Sequence, residues 1–470
     1  HAPVEELGGS ILARLVIVSN RLALPNEKPG RAGGLAVALR ESLQRRGGLW
    51  FGWSGETTPG EAPAPELLTT GKITYATIDL NAEDYQDFYN GFANGVLWPL
   101  FHYRVGLSNF RRSAYEGYQR VNRIFAEKLA PLLQPDDVIW VHDYHFMSLA
   151  AELRTLGVRN RIGFFLHIPF PAPELLLTLP VHRKLVGDLC AYDLLGFQTE
   201  EDVRALSRYI TEEAGGRIDE NGVAEVMNGR PRLAAFPIGI DTEAFAGMAE
   251  KSVREPETAR LSDSLAGRAL VIGVDRLDYS KGLPQRLEAF HELLARWPEH
   301  RSRVTFMQIA PVSRGEIAQY RALRREIEGL AGRLNGKYSE FDWTPVRYLN
   351  KSFPRKVLAG FYRASKVGFV TPVRDGMNLV AKEYVAAQDP TDPGVLVLSR
   401  FAGAARELRD ALIVNPHDVD EMAAALHTAL TMPRDQRIER WRRMMTVLQA
   451  NHIGVWRERF LEALEAAGGR

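Results

Sequence analysis

Two segments of this chain collect residue types that can manage a phosphorylated substrate. In Val274-Asp275-Arg276-Leu277-Asp278-Tyr279-Ser280-Lys281-Gly282, Arg276 and Lys281 stand five positions apart in a turn-rich loop between a strand and a helix. Two cations at one strand end suit a diphosphate, whose charge must be neutralised if it is to leave. A surface loop with two solvated cations has the same composition, so this loop does not decide alone. In Val370-Thr371-Pro372-Val373-Arg374-Asp375-Gly376-Met377-Asn378-Leu379-Val380-Ala381-Lys382-Glu383, a strand ends, a glycine-containing loop follows and a helix starts near Leu379. Free amides in the run Leu379-Val380-Ala381-Lys382 can bind phosphate oxygens. Asp375 and Glu383, eight positions apart, can accept sugar hydroxyls at one end and ribose hydroxyls at the other. The plainer alternative is that Asp375 caps the helix and Glu383 pairs with a neighbour on its own face.

Other candidates lie nearer the N-terminus. Ser19-Asn20-Arg21 ends a strand and is followed by Ala32-Gly33-Gly34-Leu35. Paired glycines opening a helix permit close approach of an anion or sugar, or only tight packing. Trp140-Val141-His142-Asp143-Tyr144-His145 resembles a metal site, but alternation along a strand sends the two histidines apart. No zinc-like spacing occurs elsewhere, so Asp143 reads better as an acceptor of sugar hydroxyls than as a metal ligand. His167, after Ile162-Gly163-Phe164-Phe165-Leu166, is either a satisfied core histidine or a substrate contact. Asp418-Val419-Asp420 reads as a helix cap, and Leu49-Trp50-Phe51-Gly52-Trp53 as a buried hairpin or packing cluster, with a sugar platform the alternative.

The elements that must position these residues alternate. Strands are expected at Leu15–Val18, Val138–Val141, Ile162–Leu166 and Leu194–Phe197. The pattern resets around Phe236-Pro237-Ile238-Gly239-Ile240, and a second series follows: Ala269–Val274, Val304–Gln308, Val367–Val370, Val395–Leu398 and Ala411–Val414. Strands interleaved with amphipathic helices predict an α/β protein of two Rossmann-like, doubly wound domains facing across a cleft. The expected bounds are a leader at 1–13, a first domain at 14–236 and a second at 237–451. A terminal helical segment, 452–470, follows a break at Asn451-His452.

Composition excludes several classes. The 470 residues carry 59 Lys+Arg against 58 Asp+Glu, a net charge of +1, so nothing indicates a nucleic-acid partner. The basic run Arg321–Arg325 shares its pattern with Leu323, Ile327 and Leu330 and reads as the solvated face of a helix. No apolar stretch approaches the ~18 residues of a membrane span. The lone cysteine, Cys190, sits in an apolar context and is expected to be buried and inert; a cytoplasmic setting fits.

Taken in order, the motifs Val18-Ser19-Asn20-Arg21, Gly48-Leu49-Trp50-Phe51-Gly52-Trp53-Ser54-Gly55, His142-Asp143-Tyr144-His145, His167-Ile168-Pro169-Phe170-Pro171, Arg276–Gly282 and Arg374–Val380 resemble the trehalose-6-phosphate synthase family. The likeness runs from about Arg14 into the C-terminal helices. It implies a retaining glycosyltransferase of the GT-B type, moving glucose from a nucleotide-glucose such as UDP-glucose to glucose 6-phosphate without cofactor or metal. It implies that Arg276 and Lys281 hold the donor diphosphate with the amides of Leu379 and Val380, Glu383 the ribose, and Asp375 with His167 the transferred glucose. Gly33 and Gly34 would lie against the donor and Phe353 near its base, with Ala381 and Lys382 in the same wall. Arg21, Tyr89, Trp98, Asp143 and Arg314 would form the acceptor pocket, the two arginines on its phosphate. Relatives imply a homo-oligomer, dimer or tetramer, and a last helix that crosses back to the first domain. With no segment expected after Ala467 for a phosphatase domain, the product should stay phosphorylated. Rival expectations are transfer to glycerol 3-phosphate, transfer between cyclitols, or a catalytically silent sugar-phosphate sensor.

Overall fold

The computed structural model describes residues 13–22, 24–25, 34–227, 229–313 and 318–467. Sixteen strands run in chain order. They are β1 (Leu15–Arg21), β2 (Gly48–Thr57), β3 (Glu66–Thr70), β4 (Ile73–Leu80), β5 (Val138–His142), β6 (Arg161–Phe165), β7 (Leu194–Phe197), β8 (Arg217–Ile218) and β9 (Ala224–Glu225). Then come β10 (Arg232–Ala235), β11 (Ala269–Val274), β12 (Val304–Ile309), β13 (Val346–Leu349), β14 (Val367–Val370), β15 (Val395–Ser399) and β16 (Leu412–Val414). The first sheet has the order β10-β7-β6-β5-β1-β2-β4-β3 and the second β13-β12-β11-β14-β15-β16, with β8 and β9 a separate pair.

Every pair in the second sheet is parallel, and its order is the 3-2-1-4-5-6 of a Rossmann fold. Parallel strands covered by helices on both faces are buried along their length: Leu15 to Val18 form an unbroken apolar run with no exposure, and β12 is buried throughout although Thr305 and Gln308 interrupt its apolar residues. β3 is exposed along its length, Leu67 and Leu68 included, and runs antiparallel to β4 at the edge of the first sheet. The aromatic run at 49–53 is not a hairpin. It lies in β2, paired in parallel to β1 and β4, and its rings are core.

Two crossings join the halves side by side. Ile453 N–H donates to the Ile240 carbonyl, and a Cβ on Gly239 would stand 2.1 Å from the Asn451 carbonyl oxygen. Helix Ile453–Ala466 then covers the first sheet. Phe460 stacks on Trp140 at 4.6 Å, and Trp456 meets Trp140 and Phe165 at 5.0 and 5.2 Å. The result is two Rossmann-like domains of the GT-B arrangement, open to each other at their strand C-termini. Asp418 caps helix Val419–Thr431, Leu323 and Ile327 face inward from helix Ala318–Tyr338, and Cys190 is buried.

Candidate active site

The two loops singled out in the second half follow β11 and β14, adjacent strands on either side of the point where strand order reverses. Ligands of open α/β sheets settle there, because consecutive connections diverge and leave a crevice. One buried side chain ties the loops together. Arg286, from the first turn of helix Leu283–Arg296, has no exposed surface. It contacts Asp275, donates to Gln308 Oε1 at 2.8 Å and Thr371 Oγ1 at 3.0 Å, and reaches the Lys281 carbonyl at 3.1 Å. Val373 N–H donates to the Ser280 carbonyl at 2.8 Å, closing the seam.

Lys281 extends to Asp375, whose Oδ2 also accepts from Asn378 Nδ2 at 3.1 Å. Burial would push the Asp375 carboxyl up, but the Lys281 ammonium, with Asn378 and His102 adding, brings it below the usual carboxylate range. Asp375 is therefore not the helix cap. Asn378, held at φ +79°, caps helix Leu379–Ala387 by accepting from Ala381 N–H at 3.1 Å. That bond occupies the Ala381 amide, whereas Leu379 and Val380 open the helix as its first two residues with no intrahelical acceptor for their amides. Lys382 turns inward: wholly buried, its ammonium donates to the Ile238 carbonyl at 2.7 Å and Glu407 at 2.6 Å. Glu383 pairs at 3.3 Å with Arg355 from a neighbouring helix, and burial raises its carboxyl despite that partner. Phe353 packs edge-on to Phe361 beside it.

The opposing wall comes from the ends of β1, β5 and β6. Arg21 is the exposed last residue of β1, its guanidinium against Gly55. Asp143 follows β5 at φ +79°, ψ 171°, a region costly for any residue with a Cβ. Its Oδ1 accepts from His167 N–H at 3.1 Å. Burial pushes the His167 imidazole down to about 3, so it is neutral, and Nε2 meets His142 Nδ1 at 3.0 Å. His142 Nε2 is buried and has no partner among the described residues. Placing the His142 proton on Nδ1 leaves no buried N–H orphaned, and it leaves His167 protonated at Nδ1, a donor. His145 points elsewhere and stacks on Tyr89 at 6.0 Å.

Tyr89 lies in a widely wound π-helix, Gln86–Leu97, which delivers Trp98. Trp98 spans the cleft: Nε1 reaches Asp278 Oδ1 at 3.4 Å, and the Arg276 guanidinium sits over its ring at 5.5 Å. His102 packs beneath at 4.3 Å, bonded to the Trp98 carbonyl, and burial takes its imidazole down to about 4. Gly376 closes the gap between domains, since a Cβ there would stand 2.0 Å from the His167 carbonyl oxygen.

Gly33 and Arg314 lie outside the described residues; Gly34 opens helix Gly34–Arg46. Sequence reasoning missed Arg286, His102 and Asn378, and weighed His142 only as a metal ligand. Asn378 had a signal, three positions before a helical amide; a buried arginine or histidine has none until its partners are known. Among the described residues one group of three potential metal ligands comes together, Glu299, His300 and His427, away from this cleft.

The model of glycosyltransferase family 20 matches residues 14–466. The chain belongs to that family. A Cronobacter sakazakii protein named trehalose-6-phosphate synthase is 51% identical over 454 residues, 97% of this chain and 95% of that protein. A Burkholderia vietnamiensis structure described as an alpha,alpha-trehalose-phosphate synthase (UDP-forming) superposes with a TM-score of 0.95 at 49% identity, covering 97% of each chain. A Burkholderia xenovorans enzyme of the same description, in complex with glucose-6-phosphate, gives a TM-score of 0.93 at 50% identity, covering 97% of this chain and all of that one. Among the described residues of this family 20 glycosyltransferase, no helix is long and apolar enough to cross a membrane.

Proposed function

We propose that this family 20 glycosyltransferase moves glucose from UDP-glucose to glucose 6-phosphate, with retention, giving alpha,alpha-trehalose 6-phosphate and UDP. The observation that carries the reading is the Lys281–Asp375 pair at the mouth of helix Leu379–Ala387: a cation for a leaving diphosphate and a carboxylate for sugar hydroxyls, side by side at a switch point. Relatives sharing half of all positions over almost the whole chain support both substrates.

In this reading the donor diphosphate lies between Arg276, Lys281 and the amides of Leu379 and Val380. Glu383 takes the ribose, Phe353 lies near the base, and Asp375 with His167 Nδ1–H grips the glucose. Arg21, Tyr89, Trp98, Asp143 and Arg314 hold glucose 6-phosphate, with Gly33 and Gly34 against the donor. The bond from the donor's anomeric carbon to the phosphate oxygen breaks, and its electron pair leaves on the diphosphate. The acceptor's anomeric hydroxyl attacks from the same face and passes its proton to the departing phosphate oxygen. Arg276 and Lys281 stabilise the charge that develops there, ordinarily a large share of catalysis. Trp98, touching Arg276 and Asp278 across the cleft, couples acceptor binding to domain closure.

The test is turnover of UDP-, GDP- and ADP-glucose with glucose 6-phosphate or glycerol 3-phosphate in excess chelator. Trehalose 6-phosphate, formed fastest from UDP-glucose, is the expected product. Product from glycerol 3-phosphate alone would replace the acceptor, and no product from any pair would overturn the catalytic reading.

A further inference from the structure

A second cavity, of about 310 Å³, shares only the Asp375–Gly376 turn with the cleft site; Arg276, Lys281, Glu383, Trp98 and Asp143 do not line it. Its walls come from both domains, Tyr103, Phe170 and Asp202 from the first, Arg374, Arg400 and Phe401 from the second. The Arg374 guanidinium is sandwiched between the Tyr103 ring at 3.7 Å and the Phe401 ring at 5.2 Å, and Arg400 lies over Phe401 at 5.8 Å. Among the described residues neither arginine side chain has an ion pair or hydrogen bond. Stacking fixes a guanidinium by its face and leaves its N–H edge free to donate.

The acidic residues of the cavity do not fill that role. Asp202 accepts from Phe170 N–H at 2.9 Å and from Thr199 Oγ1 at 2.8 Å, and burial raises its carboxyl to about 6. Glu201 is engaged by the third arginine, Arg406, at the rim. Asp375 is paired with Lys281, and Asp202 feels the charge of Arg374 without coming within ion-pair distance of it, so the N–H edges of the half-buried Arg374 and the exposed Arg400 face an open pocket beside aromatic rings that would accept a small organic group.

We propose that this cavity binds a phosphate dianion, free or as the ester of a small metabolite, on the N–H edges of Arg374 and Arg400. Because both domains line it, an occupant ties them together directly behind the turn that presents Asp375 to Lys281. Two guanidinium forks on one tetrahedral phosphate group, each able to donate a pair of N–H bonds to its oxygens, are the arrangement in which arginine outperforms lysine.

The test is calorimetric titration of inorganic phosphate, and separately of ribose 5-phosphate, into the full-length enzyme and into its Arg400→Gln and Arg374→Gln variants, which leave the cleft's own phosphate positions unchanged. At least one equivalent per chain is expected in the wild type, one of them weakened at least tenfold in both variants. Arg400→Gln should leave the KM for both substrates within twofold of wild type. Tighter binding of the ester assigns the occupant to a phosphorylated metabolite, and equal or tighter binding of phosphate assigns it to the free ion. Absence of saturable binding, or equal binding by wild type and Arg400→Gln, overturns the proposal. The result is separable from the proposed reaction: failure of UDP and glucose 6-phosphate to bind would count against that reaction, while the Arg400→Gln comparison would still report on the cavity.

Discussion

The two walls of the cleft are built differently. The second-domain wall is two short loops, Asp275–Gly282 and Thr371–Asn378, locked by polar side chains: Arg286 beneath, Lys281–Asp375–Asn378 above. The first-domain wall draws single residues from elements far apart in sequence, Arg21, Tyr89, Trp98, Asp143 and His167, held largely by aromatic packing and neutral histidines. A wall of charge pairs resists rearrangement because each broken pair leaves a buried charge, whereas a wall of rings can adjust in small steps. The first suits a leaving group whose charge must find its partners already in place, and the second suits the hydroxyl-bearing ring of an acceptor sugar, with Arg21 the cation at its edge.

Four perturbations sharpen or break that contrast. The largest effect is expected at Arg286→Met, which strands Asp275 without a cation and unties both loops. It should cost about 3–5 kcal/mol of stability in denaturant melts, since one partner of a buried pair is removed. A loss below 1 kcal/mol would mean the loops hold themselves. Next is Lys281→Met, expected to lower kcat by about 10²–10³-fold with the fold intact by circular dichroism, as for loss of one group stabilising developing charge.

On the opposite wall, Asp143→Gly separates chemistry from strain. Glycine accepts φ +79°, so melting temperature should hold or rise while turnover drops about 10²-fold; Asp143→Ala should lose both. Equal melting temperatures for the two variants would show the backbone there is unstrained. The smallest effect is on pH. His102, His142 and His167 all have imidazoles pushed below 6.5 by burial. The unfolded chain therefore binds more protons than the folded one as pH drops below 6.5, and stability falls with it. The slope is at most about 1.4 kcal/mol per pH unit for each histidine. Hydrogen-exchange protection factors, corrected for the intrinsic rate at each pH, should fall from pH 7 to 5 first around 138–170, before 275–282, whose pairs depend on a carboxyl held low by Lys281. Protection lost first at 275–282 would reverse the contrast.

The same contrast explains what the sequence revealed. The doubly wound architecture was legible because strands buried on both faces appear as apolar runs, as at Leu15–Val18 and Val395–Leu398. The edge strand Glu66–Thr70 carries no such run, and Val346–Leu349 is flanked by polar residues, so neither announced itself. The second-domain wall was readable because its groups fall within two continuous stretches. Loops at a switch point must bring Arg276, Lys281 and Asp375 together whatever the details of packing. Spacing alone did not assemble the first-domain wall, because Tyr89 and Trp98 reach it through a π-wound helix that no periodicity marks. There the family resemblance carried the expectation. Lys382 shows the limit of reading a run by position: one residue before Glu383, it faces the opposite way, into the joint with Ile238.

The most direct test of the divided cleft is calorimetric binding of UDP and of glucose 6-phosphate to wild type, Lys281→Met and Asp143→Gly. The account predicts that Lys281→Met weakens UDP at least tenfold and leaves glucose 6-phosphate within twofold, with Asp143→Gly doing the reverse. UDP binding indifferent to Lys281→Met, or both variants weakening both ligands alike, would contradict it.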